Sequence, residues 1–356
     1  MGNSPPTRRT ADFDYPLPPE LIAQTPSPRR GESRLLVVRS KGAKTQSEGV
    51  FEDRRFSDLI ELIPPGDLLV LNTTRVRHAR LVGRRASGAP AEVLLIRPAG
   101  DDTWIAMGKP GSALRPGRQV DLGQGISVET VELMEEGFRR VKLVGATAEE
   151  AMERVGRVPL PPYIEREPTA EDAVRYQTVF AEQPGSVAAP TAGLHLTGEM
   201  LDALDRRGVR MARITLEIGP GTFKPVDAED PASHPMHPEQ FEIPAEAAEQ
   251  VAAARRRGAR IWAVGTTVVR ALESAARDDG TVRSGRAETR LMITPGYRFR
   301  IVDRLVTNFH LPRSTLLMLV AGFAGFDLVM AAYHHAVRER YRFYSYGDAM
   351  LLEREP

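Results

Sequence analysis

Residues 259–274 read ARIWAVGTTVVRALES. A short apolar run ends at Gly265, two threonines follow, and Val268 onward carries helical spacing. A strand, a glycine and a helix in that order form a strand-to-helix turn of the kind that meets ligands in α/β proteins. The stretch lacks GxGxxG, so no dinucleotide is implied. The same alternation continues on both sides. Before it come EDAVRYQTVF (171–180), GEMLDALDRRG (198–208), VRMARITLEI (209–218) and PAEAAEQVAAARRRG (244–258). After it come ETRLMIT (288–294), STLLMLVAGF (314–323) and DLVMAAYHHAVRERY (327–341). Alternating helices and strands predict an α/β domain. Two of the helical runs end in basic residues and then glycine, the chemistry of a helix C-terminus. Arg270 and Glu273 stand three apart on one predicted helix and could pair with each other as surface groups.

Residues 67–144 have a different texture. DLLVLN, AEVLLIR, DTWIAM, GRQVDL, ISVETVEL and FRRVKLV are six short runs separated by glycines, which predicts an antiparallel barrel or sandwich. A helix, TAEEAMERVG, and a stiff four-proline connection, VPLPPYIEREP, follow. The predicted architecture is an α/β main domain formed by residues 1–66 and 152–356, interrupted at 67–151 by an all-β, barrel-like insertion.

The chain has 356 residues, 42% hydrophobic and 27% charged, with net charge +1, an ordinary globular balance. It has no cysteine, which excludes disulfides, thiolate nucleophiles and thiolate metal sites. The first residues lack the apolar core of a signal peptide. The most apolar stretch, 316–326, is too short to span a bilayer. A soluble cytoplasmic protein without membrane contact is expected. Only five of the 48 basic residues are lysine, so abundant arginine alone says little about phosphate binding. Clustering says more: residues 75–118 hold nine basic side chains, among them Arg75, Arg77, Arg84 and Arg85, against three acidic ones. That is either a solvated arginine-rich face or a footprint for phosphate backbones.

Several loops are too polar or too rich in Gly and Pro to be core. SVAAPTAGLHLT (186–197) joins small residues to Thr191, Gly193 and His195, and reads either as a ligand loop or as a plain loop capped at Thr197. EIGPGTFKPV (217–226) carries Glu217 and Lys224, a compact charge in a chain that prefers arginine. HPMHPEQFEIP (234–244) gathers His234, His237 and Glu239, but its prolines deny it a helix and no further strong ligand stands nearby, so a polar functional loop or a structural loop is favoured over a metal site. TNFHLPRSTLL (307–317) sets Asn308 and His310 before a helix capped by Ser314. YRFYSYGDAMLL (341–352) places Tyr344, Tyr346 and Asp348 beside Gly347, with rings suited to stacking on a base.

Taken together, ten blocks in order, from SRLLVV and GDLLVLNTTRVRHARL through GSVAAPTAGLHLT, MHPEQF and AVGTTVVRALES to RFYSYGDAML, resemble the S-adenosylmethionine:tRNA ribosyltransferase-isomerases of queuosine biosynthesis. The resemblance spans nearly the whole chain. It implies transfer and isomerisation of the ribosyl group of S-adenosylmethionine onto a 7-aminomethyl-7-deazaguanine base at the wobble position of a tRNA with a GUN anticodon. The product would be epoxyqueuosine-tRNA, with adenine and methionine released. It implies no metal, no cofactor beyond S-adenosylmethionine as co-substrate, and a monomer. His195, His237, His310, Glu239 and Asp348 become candidates for proton transfer. Thr191, Gly193, Glu217, Lys224, Thr266, Thr267, Arg270, Asn308 and Tyr346 become candidates for substrate binding, and Arg75, Arg77, Arg84 and Arg85 for tRNA. The three histidines are expected to border one pocket. Three positions depart from the family's pattern: Glu217 stands at the usual His, Thr73 at the usual Asp and, conservatively, Leu196 at the usual Phe. A family member with altered chemistry that acts as an RNA-binding protein is the alternative.

Overall fold

The computed structural model describes residues 8–39, 51–219, 226 and 228–354. Its main domain is built on a nine-stranded mixed sheet in the order Gly285–Thr289, Glu239–Ile243, Arg210–Leu216, Leu68–Asn72, Ile261–Val264, Arg304–Asn308, Ala349–Glu353, Arg34–Val38, Phe51–Arg55. The four strands from Arg210–Leu216 to Arg304–Asn308 run parallel. The two edges are antiparallel hairpin-like additions. Side chains alternate between two apolar layers. Leu36, Val38, Leu68 and Val70 face the helices Ala245–Arg256, Thr266–Ala275, Thr315–Ala324 and Phe326–Arg338. Leu35, Val37, Leu69 and Leu71 face Phe56, Leu59 and the helix Gly198–Arg206. A period of two along each strand puts successive residues on opposite faces, so a strand covered on both sides must be apolar throughout.

That rule corrects the expected boundary of the insertion. The run Leu68–Asn72 is not a barrel strand; all five residues are buried and the strand lies in the middle of the large sheet. DLLVLN shows no alternation because neither of its faces meets water. The sixth barrel strand is instead Arg80–Arg85. The barrel order is Arg80–Arg85, Pro90–Gly100, Thr103–Lys109, Arg139–Val144, Ile126–Leu133, Gln119–Gly123, and it closes by pairing Arg84 with Asp121 and Arg85 with Val120. Leu81, Val93, Leu95, Val120, Val128 and Val141 fill its interior. The helix Ala148–Val155 seals it through Ala148, Ala151 and Met152, with Thr147 and Glu150 forming a reciprocal N-terminal cap. Closure removes sheet edges that a small antiparallel domain would otherwise expose.

Candidate active site

The parallel strands end on one side of the sheet, where α/β proteins gather ligand groups. Asn72 ends Leu68–Asn72 and clamps two neighbours there. Its Oδ1 accepts the Leu216 N–H (3.0 Å), and its Nδ2 donates to the Leu216 carbonyl (3.1 Å) and to Thr267 Oγ1 (3.4 Å). Gly265 follows Ile261–Val264 with φ +96°, a left-handed conformation that glycine adopts without strain, and this turns the chain into the helix Thr266–Ala275. Arg304–Asn308 ends at Asn308, and His310 lies two residues beyond.

A first hollow opens at these strand ends. Ala188, Ala189, Pro190 and Ala192 give it a small-residue wall, Tyr163 and Tyr344 an aromatic one, and Thr191, Thr266, Thr267, Thr307, Asn308 and His310 its polar groups. The Tyr163 and Tyr344 rings lie 4.6 Å apart, and Tyr163 OH is 2.6 Å from Ser345 Oγ. Tyr344 takes φ +71°, which is costly for a bulky residue and places its backbone N–H on the Phe309 carbonyl (3.1 Å). His310 is buried, with Nε2 2.9 Å from Thr307 Oγ1. Its Nδ1 has no hydrogen-bond partner among the described residues. Burial lowers its pKa to about 3, so the ring is neutral at physiological pH.

A second, more charged hollow lies between the sheet and the barrel and meets the first at Ile218 and Leu316. The barrel contributes Arg97, Ile105 and Phe138, and the main domain Glu217, His237, Glu239 and Arg270. Glu239 and Arg270 are both buried and form an ion pair through Arg270 Nη1. Arg270 Nε donates to the Leu291 carbonyl (3.3 Å), while Nη2 has no partner among the described residues. Glu217 is half-buried at the end of its strand. Burial raises its pKa, an effect opposed by the positive charges of Arg77, Arg286 and Arg97. His237 Nδ1 is 3.1 Å from Glu136 of the barrel, and its ring meets Phe138 edge-on, so this pair bridges the two sheets across the hollow.

The three histidines therefore do not border one pocket. His310 lines the first hollow and His237 the second, whereas His195 lines neither. His195 lies behind Asn308, stacked on Phe56 with ring centres 4.7 Å apart. Both of its nitrogens are engaged, by Ser33 Oγ at Nδ1 (2.6 Å) and Asn308 Nδ2 at Nε2 (3.1 Å). Burial, reinforced by Arg30 and Arg342, lowers its pKa to about 3.

Other expected site residues hold the frame instead. Asp348 is buried and accepts the backbone N–H groups of Arg34 (2.9 Å) and Arg342 (2.8 Å), and it lines neither hollow. Tyr346 donates its hydroxyl to Asp172 (2.7 Å), which also takes a two-pronged contact from Arg166. Gly193 is needed for packing, since a Cβ there would lie 2.8 Å from Phe180 and 2.9 Å from Thr178. Arg270 and Glu273 do not pair at a surface. Glu273 is buried and accepts backbone N–H groups from Arg300, Ile301 and Val302 at 2.9, 3.0 and 3.0 Å. Thr73 donates to the Ile214 carbonyl (3.3 Å) away from both hollows. Lys224 lies outside the described residues.

Among the basic candidates, Arg75 and Arg84 are exposed. Arg77 is partly buried, 5.2 Å from the Trp104 ring, with Nη2 on the Pro184 carbonyl (3.0 Å). Arg85 is partly buried, its Nε unpartnered among the described residues. Arg80, also in the basic segment, is neutralised by Glu92 and Glu167. No group of three or more His, Cys, Asp or Glu among the described residues is arranged to hold a metal ion. No single described helix is long and apolar enough to cross a membrane.

A family model described as queuosine biosynthesis protein matches residues 10–352. The chain belongs to this queuosine biosynthesis family. The S-adenosylmethionine:tRNA ribosyltransferase-isomerase of Ralstonia pickettii (strain 12J) is 51% identical over 346 residues, covering 97% of this chain and 95% of that protein. The protein of the same name from Symbiobacterium thermophilum is 51% identical over 347 residues, covering 97% and 99%. A crystal structure of S-adenosylmethionine tRNA ribosyltransferase from Thermotoga maritima is 38% identical with TM-score 0.54, covering 96% of this chain and 99% of that one. Tyr163 and Arg97 line the first and second hollows, and Ser33 and Asn72 stand behind them, bonded to His195 and to Thr267. Asn72 leaves a local trace in sequence, a polar residue closing an otherwise apolar strand, and Arg97 is one of the nine basic side chains in 75–118.

Proposed function

We propose that this chain transfers and isomerises the ribosyl group of S-adenosylmethionine onto the 7-aminomethyl-7-deazaguanine base at the wobble position of a GUN-anticodon tRNA. The product is epoxyqueuosine-tRNA, and adenine and methionine leave. The observation that carries this reading is the meeting of two unlike hollows at Ile218 and Leu316, one lined by small and aromatic residues and the other charged and roofed by the barrel. Near-full-length likeness to relatives named for the activity supports it.

In this reading the sulfonium acidifies the neighbouring ribosyl C–H, and a base must take that proton. Glu217 is the carboxylate best suited, because its burial at the charged hollow strengthens it as a base. The unpartnered Nη2 of Arg270 suits the methionine carboxylate, with Glu239 fixing the guanidinium plane. His310 serves as a neutral hydrogen-bonding group for the departing purine, since burial disfavours its charged form. The tRNA backbone follows Arg75, Arg77, Arg84 and Arg85, and the enzyme works as a cytoplasmic monomer without a metal.

The test is to incubate the protein with S-adenosylmethionine and a tRNA bearing the aminomethyl-deazaguanine base. Free adenine together with a heavier tRNA nucleoside is the expected result. Tight tRNA binding with no adenine released would instead support an RNA-binding protein and overturn the transfer reading.

A further inference from the structure

Asn308 ends its strand inside the first hollow and is 2% exposed. Its amide orientation follows from its neighbours. Nδ2 lies 3.0 Å from the Tyr344 carbonyl, an acceptor that only the nitrogen can satisfy. The same nitrogen donates to His195 Nε2, so that ring nitrogen carries no proton. The ring's single proton then sits on Nδ1 and is donated to Ser33 Oγ. Each step excludes the alternative tautomer or amide flip, so Ser33, His195 and Asn308 form one chain with a single consistent proton arrangement. Its terminal atom is Asn308 Oδ1, buried and without a hydrogen-bond partner among the described residues. A buried acceptor left unpaired is costly, and the residue that carries this one is part of the hollow's lining, which suits it to a ligand donor.

The surroundings specify the donor's chemistry. The small-residue wall leaves room for a flat body, and Tyr163 with Tyr344 offers it aromatic faces. The remaining polar groups are hydroxyls and a neutral histidine, so this hollow gives no fixed cation or anion to a charged ligand. A neutral heteroaromatic ring with an exocyclic amine satisfies these conditions. A ring that presents a carbonyl at the same place sets oxygen against oxygen.

We propose that the first hollow is the adenine subsite for S-adenosylmethionine, in which Asn308 Oδ1 accepts a hydrogen bond from the exocyclic amine and Ser33 acts through His195 as a positioning residue that fixes this selectivity. The inference rests on the transfer reading above and adds the residues that distinguish amino from oxo purines. The tRNA-borne deazaguanine presents a carbonyl on its six-membered ring and belongs in the charged hollow beside the barrel.

The experiment compares binding of S-adenosylhomocysteine with that of its 6-oxo counterpart, S-inosylhomocysteine, by calorimetry on the full chain. The wild type is expected to favour the amino compound about tenfold or more, because a site built around a hydrogen bond rejects a ligand lacking the donor. Ser33→Ala is expected to reduce that ratio several-fold, and Ser33→Thr, which keeps the hydroxyl, to preserve it. A merely structural loss would weaken both ligands alike and leave the ratio unchanged, and that result would overturn the role of Ser33. Equal wild-type affinity for the two ligands, while adenine is still released in the presence of modified tRNA, would overturn the subsite and leave the transfer reading intact. Absence of both ligand binding and adenine release would overturn both.

Discussion

Glu239 and Arg270 offer a direct test of whether the charged hollow maintains its polarity at the expense of stability. Each side chain is 6% exposed, and the two form an ion pair at the hollow's wall. Arg270→Met removes the guanidinium that faces the Glu239 carboxylate, while Glu239→Met leaves a guanidinium held by one carbonyl contact, at Leu291. Removing one partner of a buried pair costs about 3–5 kcal/mol, a large fraction of the roughly 5–15 kcal/mol that holds a domain together. Replacing both by apolar residues of similar volume is often neutral or better. The double variant is therefore expected within about 2 kcal/mol of wild type, whereas adding the two single effects predicts a loss of roughly 6–10 kcal/mol. Urea unfolding in a Trp104→Phe background reads this out. The chain has two tryptophans, and Trp262 in the large sheet then reports alone. A double variant as destabilised as the sum of the singles would refute the pairing argument. A stable double variant that no longer binds S-adenosylhomocysteine would assign the pair to ligand recognition.

Three further outcomes are expected. His195 and His310 have pKa values lowered to about 3 by burial, so between that pH and the unfolded value near 6.5 the unfolded chain binds more protons and stability falls as pH falls. The loss between pH 7 and 5 is about 2 kcal/mol per histidine, measured as urea midpoints, and a flat profile over that window would count against two neutral buried rings. Glu217→Gln is expected to lower turnover about 100-fold or more while leaving the preference for S-adenosylhomocysteine over S-inosylhomocysteine unchanged, and wild-type turnover in the variant would remove Glu217 from the chemistry. Arg84→Ala with Arg85→Ala is expected to weaken tRNA binding and to reduce the slope of log affinity against log salt by about 0.7–0.9 for each phosphate that is no longer neutralised, without altering S-adenosylhomocysteine affinity; identical salt slopes would exclude both from the RNA path.

What can be read ahead of the structure divides by how local its physical cause is. The strand–glycine–helix turn at Gly265 is legible because its cause lies within a few residues, and the small-residue loop around Thr191 is legible for the same reason. The barrel is visible from alternation, but Leu68–Asn72 misleads because a strand buried on both faces has no alternation to show. Polar site residues are harder. Asp348, Tyr346 and Asn308 are all buried and polar, yet the first two complete their bonding with protein groups while Asn308 keeps one acceptor over. That difference depends on partners such as Ser33 and Arg34 from distant segments, which composition and spacing do not reveal. The same holds for His195, whose motif resembles that of a proton-transfer residue but whose two nitrogens are already taken.

The central placement of Leu68–Asn72 also governs the order in which the molecule can be made. Both of its neighbours, Arg210–Leu216 and Ile261–Val264, are synthesised more than a hundred residues later, after the entire barrel. On a ribosome the strand emerges with two bare hydrogen-bonding edges and two apolar faces, while the next segment to emerge can close on itself. The barrel is thus free to fold first, and its completion keeps the waiting strand tethered beside a finished domain. Long-range parallel pairing of this kind is slow, and an unpaired apolar strand is prone to aggregation in the interval. Closing the barrel takes six strands out of the pool with which Leu68–Asn72 could mispair.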